Sequence, residues 1–590
     1  MIPPPRGCGH SDLYARWGVE SRIGVAGGGG YPLILTDQTN NKAGQVASCL
    51  FKAALLALLI SPAVATVTSG GAGPQRLTAE GERELRGIVS EGRLQTLRFG
   101  EYQAELGEFY RSEDYTLAWV RDSRPTAKAR AVIKLLQAAD EKGLIAREYE
   151  GPFWKRRLAA LSRPHRPSSE RELLRFDLAL TVCAMRYVTD LHLGRINPRK
   201  PRAPRLWDIL RERIVPAQDT AAALSALEPP FPPYRRLIAA VQRYNDLARQ
   251  DDGELLPVST TTIKAGDRYS GTPRLTRLLR LLGDLPSGIS VDPNVYAEPL
   301  VKAVKRFQRR HGLAPDGFLD PQTVRQLNTP LSQRLSQLRL ALERWRWLPR
   351  EFSRPPVIVN IPEFRLYAGD APPQRVVVGM AFAEKETPVF TSVMTEVVFH
   401  PPWTVPISIQ KKELVAKIAK NPSTYLRKNN FEVIDRDDAV VATGAVSKAV
   451  LEKLRQGRLY LRQKPGPDNS LGAVKFYMPN AHSVYIHGTP SRRGFEQSRR
   501  DLSHSCIRVE NPEALAVWAL RGQPEWTPEH IRAAIEGKET IAVKVTEPIP
   551  VLLQYGTAVV EENGEVRFFD DIYGRDAAEG ASFERARAAR

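Results

Sequence analysis

The chain has 590 residues, of which 42% are hydrophobic and 26% are charged. These fractions are close to globular averages and exclude a mostly disordered protein, and domains of roughly 100–200 residues would divide this length into a few units. Only one region is apolar enough to be a candidate membrane span, which excludes a multi-span membrane protein. The net charge of +19 predicts an acidic partner, either a nucleic acid, an anionic membrane surface or an anionic polymer.

A short apolar run at residues 53–65 follows Lys52 and ends in Ala63, Val64 and Ala65. This pattern is typical of a secretory signal with a small-residue cleavage site, while an uncleaved anchor and a buried helix are the alternatives. Residues 1–41 are rich in Gly and Pro and fit no export signal, so we expect a start codon assigned too far upstream. The sequence therefore predicts an exported protein.

The sequence contains four cysteines, Cys8, Cys49, Cys183 and Cys506, which are too few for a disulfide framework. Cleavage after Ala65 would leave Cys183 and Cys506 in an oxidising compartment. There they either pair or leave at least one thiol free for chemistry. Cys183 lies on the apolar stripe of a predicted helix, which favours a small core residue.

Helical spacing of apolar residues dominates positions 78–244, most clearly over 129–143 and 176–194. A second helical unit follows, and it contains predicted helices at 272–283 and 297–312. Asp320 before Pro321 predicts the N-cap of a third short helix that ends at Leu327.

From Pro356 the apolar period changes from 3.6 to 2, which predicts a mainly β domain. A helical insertion at about 411–429 interrupts it, a final pair of strands at 551–561 and 565–569 closes it, and the Ala/Arg-rich end is predicted to be disordered. The other predicted strands are residues 357–360, 364–368, 375–380, 393–399, 474–478, 483–487 and 541–546.

The clearest candidates for chemistry are His487, at the end of a predicted strand, and Cys506, which His504 and Arg508 flank. A thiol becomes a useful nucleophile when positive charge or an adjacent base lowers its pKa. His487 is the natural base, because a neutral imidazole can accept the thiol proton and later protonate a leaving amine. A core cysteine, one half of a disulfide and a metal ligand are the alternatives, although no zinc spacing such as CxxC or HExxH occurs.

The segments His487–Pro490 and 506–512 (CIRVENP) are similar to the signature of the L,D-transpeptidase catalytic domain. Further matching segments are residues 359–362, 364–367, 402–406, 476–480 and 570–576. Residues 266–328 resemble the three-helix peptidoglycan-binding module, with matches at Phe307, Gln308, Gly312, Leu313, Asp316, Gly317, Thr323, Leu327 and Asn328. Helical segments with Phe109, Tyr110, Ala118, Trp119 and residues 194–198 resemble the scaffold domain of the large, multi-domain branch of that family.

The resemblance implies a multi-domain α+β fold with a helical N-terminal scaffold, a three-helix peptidoglycan-binding module and a mainly β catalytic domain with a helical insertion. The expected boundaries are 1–65 for the leader, 66–265 for the scaffold, 266–330 for the module, 331–355 for a helical linker, 356–576 for the catalytic domain with its insertion at about 407–472, and 577–590 for the tail.

The family also implies a role for each matching residue. Cys506 is the nucleophile, His487 is the general base and acid, and the Gly488 carbonyl orients His487 in place of a triad carboxylate. The amides of Ser505 and Cys506 would stabilise the oxyanion, and Ser505 departs from the glycine that is usual in the family and favoured where φ is positive. The remaining candidates are His504, Arg508 and Tyr485 for substrate binding, with a structural ion pair as the alternative for Arg508 and core packing as the alternative for Tyr485 and Trp403.

The implied activity is acyl transfer through a cysteine thioester that releases the terminal D-Ala of a tetrapeptide stem and forms 3→3 peptidoglycan cross-links. L,D-carboxypeptidase activity, anchoring of a protein to the wall and non-catalytic wall binding are the alternatives. The insertion could act as a lid that excludes water. We expect no metal or cofactor, no nucleic acid, peptidoglycan as the partner, a carbapenem as a covalent inhibitor, and a location in the periplasm or cell envelope, where association with the inner membrane is compatible with the leader.

Overall fold

The computed structural model describes residues 75–162, 168–198, 208–382 and 384–589. The predicted leader at residues 1–65 lies outside these residues. Within the described ranges, no helix has both the length and the apolar composition needed to cross a membrane.

The first helical domain packs around the long helix Glu170–Leu193, which begins at a capping box formed by Ser169 and Glu172. Asp177 of this helix is fully buried and accepts hydrogen bonds from the Tyr110 hydroxyl and the Trp119 amide. The other helices are Ala79–Glu91, Gln103–Ser112, Ala127–Gln137, Trp154–Leu161 and Thr220–Ser225, with a π-helical segment at Ile209–Ile214 and four 3-10 segments at Gly100–Tyr102, Ala139–Lys142, Ala146–Tyr149 and Gly151–Phe153. Two short hairpins complete it, β1 (Arg93–Leu94) with β2 (Leu97–Arg98) and β3 (Val120–Arg121) with β4 (Arg124–Pro125).

A second hydrophobic core brings together the helices Pro232–Gln250, Thr272–Leu282, Glu298–Arg310, Pro321–Leu327 and Leu331–Arg346. As predicted, the Asp320 side chain caps the third short helix by accepting from the Thr323 amide at 2.7 Å. The buried Gln308 side chain binds Asp316, Phe318 and Thr323 and accepts from the Gly317 amide at 2.8 Å. These bonds explain why Gln308 and the Asp316–Gly317 turn are part of the module's sequence pattern.

The second core extends beyond residues 266–330. Helix Pro232–Gln250, which the sequence assigned to the scaffold, packs in it, as do Leu256 and Ile263. The two C-terminal strands, β18 (Ala558–Val560) and β19 (Val566–Phe568), form a separate hairpin whose apolar residues also belong to this core. Of the predicted final pair of strands, residues 551–554 belong to β17 (Ile541–Gln554) and pair in the large sheet, whereas residues 558–560 and 566–568 form this hairpin on the second core. The alternating pattern predicts strands but not the core that they cover.

Nine strands form the main sheet of the catalytic part: β5 (Val357–Asn360), β6 (Arg365–Ala368), β7 (Ala371–Gly379), β8 (Phe390–Phe399), β13 (Val474–Tyr477), β14 (Ile486–His487), β15 (Asp501–Ser503), β16 (Ile507–Val509) and β17 (Ile541–Gln554). Their order in the sheet is β15-β7-β16-β14-β13-β8-β17-β5-β6. Because β6 also pairs with β7, eight of these strands form a closed ring, and β15 pairs with β7 at its edge. Helices Pro512–Leu520 and Pro528–Glu536 pack on the same apolar core, and a 3-10 segment lies at Arg492–Glu496.

The insertion is a mixed α/β unit rather than the purely helical segment that was predicted. Its strands are β9 (Trp403–Thr404), β10 (Phe431–Ile434), β11 (Val440–Ala442) and β12 (Tyr460–Gln463), and its helical segments are Ile407–Ile409, the π-helical Gln410–Leu414, Val415–Lys420, Tyr425–Lys428 and Lys448–Gln456. The strands form an antiparallel sheet in the order β11-β10-β12-β9, and a small separate core includes Ile418, Leu426 and Leu461.

The predicted disorder at residues 577–590 is wrong for the described part of this segment, because a helix spans Arg575–Ala589. Its Ala, Glu and Arg residues are strong helix formers. Arg344 ties it to helix Leu331–Arg346 through ion pairs with Asp576 at 2.7 Å and Glu579 at 2.8 Å. The architecture is nevertheless the predicted multi-domain α+β fold.

Candidate active site

The strand register brings His487 and Cys506 to one side of the catalytic sheet. His487 in β14 lies opposite Arg508 in the parallel strand β16 and opposite Lys475 in the antiparallel strand β13. Paired residues point their side chains to the same face, and so do residues two apart in a strand. Lys475, His487 and Arg508 thus form a row across three strands. Cys506 immediately precedes β16 and lies two residues before Arg508, on the same face. The neighbouring Ile486 and Ile507 point to the opposite face, into the apolar core.

His487 is buried, and its Nδ1 lies 2.6 Å from the Gly488 carbonyl oxygen. A carbonyl can only accept, so in the neutral ring Nδ1 carries the proton and Nε2 keeps its lone pair. Burial lowers the pKa of His487 to about 3, and the charge of Arg508 acts in the same direction, whereas the bond to Gly488 opposes them. His487 is therefore a neutral acceptor near pH 7.

The half-buried Cys506 thiol is not part of a disulfide, and neither is Cys183. Burial raises the pKa of the Cys506 thiol. Hydrogen bonds from the backbone and hydroxyl of Tyr485 oppose this shift, as do the charges of Lys475 and Arg508. The sulfur also lies 3.9 Å from the Ser483 carbonyl oxygen. The resting site thus holds a neutral thiol among several groups that favour a thiolate.

Ser505 has a φ of 78°, in the left-handed region that favours glycine. The sequence-based inference of a tight turn at this departure from the family pattern therefore matches the observed backbone. The amides of Ser505 and Cys506 have no acceptor within the described residues. Ser503 closes the turn by donating to the Cys506 carbonyl oxygen at 2.5 Å. The amides of Ser505 and Cys506 are thus available to donate hydrogen bonds to a group bound beside the sulfur.

A buried network fixes the position of this turn. The Thr387 hydroxyl donates to the Ser505 carbonyl oxygen at 2.8 Å and accepts from the Gly379 amide at 2.9 Å. The Tyr573 hydroxyl donates to the Gly379 carbonyl oxygen at 2.5 Å and accepts from the Thr387 amide at 3.2 Å. Sequence reasoning missed Thr387 and Gly379, although Tyr573 lies in the matching segment 570–576.

Arg508 and Lys475 are half-buried cations that form no ion pair with any described carboxylate. Arg508 Nε is buried without a hydrogen-bond partner in the described chain, so the alternative of a structural ion pair for Arg508 is not observed. Burial lowers the pKa of both side chains, and the negative charge of a Cys506 thiolate would oppose that shift. Lys475 was not a candidate from the sequence, because its position depends on the pairing of β13 with β14.

Tyr485 contacts the site more closely than the core-packing alternative implied. Its ring meets the His487 ring edge-to-face with centroids 5.6 Å apart, and its hydroxyl accepts from the Trp403 indole. The pKa of Tyr485 is raised, first by burial and then by the charge of Cys506. Trp403 belongs to β9 of the insertion, so the insertion reaches the catalytic cysteine candidate through Tyr485.

His504 contacts the insertion instead of an open substrate cleft. Its Nε2 lies 2.7 Å from the carboxylate of Glu413, to which Lys385 also binds at 3.1 Å. Lys412 pairs with Glu384 beside them. These contacts dock the helical segment Gln410–Leu414 against the loops that surround Cys506.

Cys183 is fully buried in the first core, and burial raises its pKa to about 12. It is a small core residue, in agreement with its apolar stripe. No group of three or more His, Cys, Asp or Glu side chains that could hold a metal ion occurs within the described residues.

Three parts of the chain match family models. Residues 104–241 match the scaffold domain, residues 271–327 match the model described as "Putative peptidoglycan binding domain", and residues 355–530 match the L,D-transpeptidase catalytic domain. A protein of Haemophilus influenzae named "Putative L,D-transpeptidase" is 32% identical over 273 residues, which are 45% of this chain and 54% of that protein. The chain thus spans about half the length of the curated relative it matches. The resemblance predicted from the sequence is thus confirmed: the chain contains segments that match a scaffold domain, a peptidoglycan-binding domain and an L,D-transpeptidase catalytic domain, in this order.

Proposed function

We propose that the chain forms 3→3 cross-links in peptidoglycan, with Cys506 as the nucleophile and His487 as the general base and acid. The observation that carries the proposal is the juxtaposition of a free thiol, a neutral imidazole oriented by Gly488 and two amides at the Ser505 turn that meet no acceptor in the described part of the chain. The peptidoglycan-binding domain supports peptidoglycan as the substrate and the cell envelope as the place of action.

In the first half-reaction, Cys506 gives its proton to Nε2 of His487, and the sulfur attacks the carbonyl of the third residue of a tetrapeptide stem. The amides of Ser505 and Cys506 donate to the oxyanion, where one such donor is worth about 2.7–4 kcal/mol of barrier. When the tetrahedral intermediate collapses, its C–N bond breaks and His487 protonates the leaving D-Ala amine. A thioester on Cys506 remains.

In the second half-reaction, a side-chain amine of a neighbouring stem attacks the thioester and gives a proton to His487. The C–S bond breaks, the sulfur regains a proton, and the new amide is the cross-link. Water in place of the amine would yield a tripeptide and make the chain an L,D-carboxypeptidase. We propose that the insertion, docked through Glu413 and Trp403, limits the access of water to the thioester.

The test is incubation of the purified protein with a disaccharide-tetrapeptide, followed by mass spectrometry of the products. Dimer formation that is lost in Cys506→Ala and kept in Cys183→Ala supports the proposal, since the second variant removes the same group from a distant core. Tripeptide alone identifies a carboxypeptidase. Absence of any product from folded protein that still sediments with peptidoglycan overturns the catalytic assignment in favour of wall binding. A carbapenem adduct on Cys506 provides a second readout of the nucleophile.

A further inference from the structure

The row of side chains beside Cys506 contains a lysine that has no carboxylate partner. Lys475 is half-buried in β13, directly opposite His487. Its Nζ lies 4.5 Å from the ring centroid of Tyr485 and 5.4 Å from that of Tyr477. An ammonium that loses water needs a compensating negative charge or a π face, and rings alone compensate only in part.

Besides Lys475, Arg508 is the cation whose charge favours a Cys506 thiolate, and the neutral groups beside the sulfur contribute hydrogen bonds only. His487 is neutral and accepts rather than donates at Nε2. Tyr485 donates hydrogen bonds but carries no positive charge. Glu396 on β8 attracts Lys475 without forming an ion pair, and Arg508 is the second cation of the row. Lys475 and Arg508 therefore flank His487 from opposite strands.

We propose that Lys475 is a positioning residue that stabilises the Cys506 thiolate by its positive charge, while its ammonium lies over the ring of Tyr485. The proposal rests on the proposed function, because it assumes that Cys506 is the nucleophile. In the resting enzyme a thiolate–imidazolium pair is disfavoured, since the ring is buried. A fixed ammonium near the sulfur lowers the free energy of the thiolate at the moment when its proton moves to His487.

The experiment is alkylation of the full-length protein by iodoacetamide as a function of pH, without substrate. Lys475→Met removes the charge and keeps a long apolar side chain, and Lys475→Arg keeps the charge. We expect Lys475→Met to shift the alkylation profile of Cys506 to higher pH and to slow the reaction at pH 7 about tenfold or more, because an opposite charge typically shifts a pKa by about one unit or more. Lys475→Arg should restore most of the rate.

Lys544→Met is the control, because it removes an exposed lysine of the same sheet. Melting temperatures of all variants establish that they fold. An alkylation profile of Lys475→Met that coincides with wild type would overturn the proposal, even if turnover is impaired. A rise in KM with an unchanged profile would assign the ammonium to a substrate carboxylate instead. Since alkylation reports on the thiol alone, its outcome does not depend on whether the chain makes cross-links.

Discussion

Gly379 holds the loop that supports the Ser505 turn, and we expect Gly379→Ala to impair catalysis strongly without unfolding the protein. A Cβ at this position would lie 2.7 Å from the Thr387 amide nitrogen and closer still to the Lys385 carbonyl oxygen. Real Cβ atoms essentially never approach other atoms within 3.0 Å. Both neighbours are backbone atoms, so relief requires a movement of the loop rather than a side-chain rotation.

A backbone displacement of about 1 Å at a supporting position can lower a catalytic rate by about a hundredfold, or about 2.7 kcal/mol of barrier. Here it would pull the Thr387 hydroxyl away from the Ser505 carbonyl oxygen and misplace the two amide donors. Turnover of the disaccharide-tetrapeptide should fall by about that factor, whereas alkylation of Cys506 in the absence of substrate should fall much less, because alkylation by iodoacetamide forms no oxyanion.

Two further variants separate this explanation from general damage. Gly494→Ala adds the same methyl group to the same domain, but its nearest neighbours would be side-chain carbons at 3.5 Å, so we expect normal activity. Thr387→Val removes the hydrogen bonds to Ser505 and Gly379 without a clash and should reduce turnover in the same direction. If Gly379→Ala folds and turns over substrate within about twofold of wild type, the loop does not control the oxyanion turn.

Ser505→Gly should keep turnover and leave the melting temperature equal or slightly higher. The substitution relieves about 1–2 kcal/mol of strain from the left-handed backbone, which outweighs the larger conformational entropy that glycine loses on folding, and a clear fall in melting temperature would contradict this. Glu413→Gln should weaken the contact of the insertion with His504 and so raise the ratio of tripeptide to dimer, measured by mass spectrometry. The control is Glu452→Gln, which changes an exposed carboxylate of the same insertion, and equal ratios in the two variants would contradict the proposed lid. Gly194→Ala should lower the melting temperature by several degrees, since φ is 82° and the new Cβ would lie 2.5 Å from a carboxylate oxygen of Glu343 in helix Leu331–Arg346. An unchanged melting temperature would refute this close contact. A plot of kcat/KM against pH should show no decrease on the acid side near pH 6.5, because burial lowers the pKa of His487 to about 3 and the base is protonated only well below pH 5. A decrease between pH 7 and pH 6 would show that the resting imidazole is not buried as described.

Local sequence patterns were sufficient for most elements and for the two residues most central to the proposed chemistry. Each of these two candidates was recognised from adjacent residues alone: His487 ends a predicted strand, and His504 and Arg508 flank Cys506. No knowledge of the fold was needed to propose them. The positive φ at Ser505 was also accessible, because glycine is the residue expected there.

Residues that depend on long-range pairing could not be found in this way. Lys475 becomes part of the site only through the register of β13 with β14, and Thr387 only through a hydrogen bond across 118 positions of the chain. The partner of His504 could not be predicted for the same reason, because Glu413 belongs to the insertion. The alternating pattern near Val560 predicted a strand correctly, but periodicity does not specify which core a strand covers.

The hairpin of β18 and β19 has a consequence for how the chain can be divided. Ala558, Val560, Val566 and Phe568 complete the core around the module's helices, although more than two hundred residues separate them from it in sequence. A fragment that contains only residues 271–327 would leave that apolar surface exposed to water, and a chain cut before the hairpin would lose part of the same core. The peptidoglycan-binding domain is thus built from segments on both sides of the catalytic domain in the sequence, and is not an independent unit joined to it by a linker. The position of the peptidoglycan-binding domain relative to the chain that leaves the catalytic domain is therefore set by this shared core, and not by the length of a linker alone.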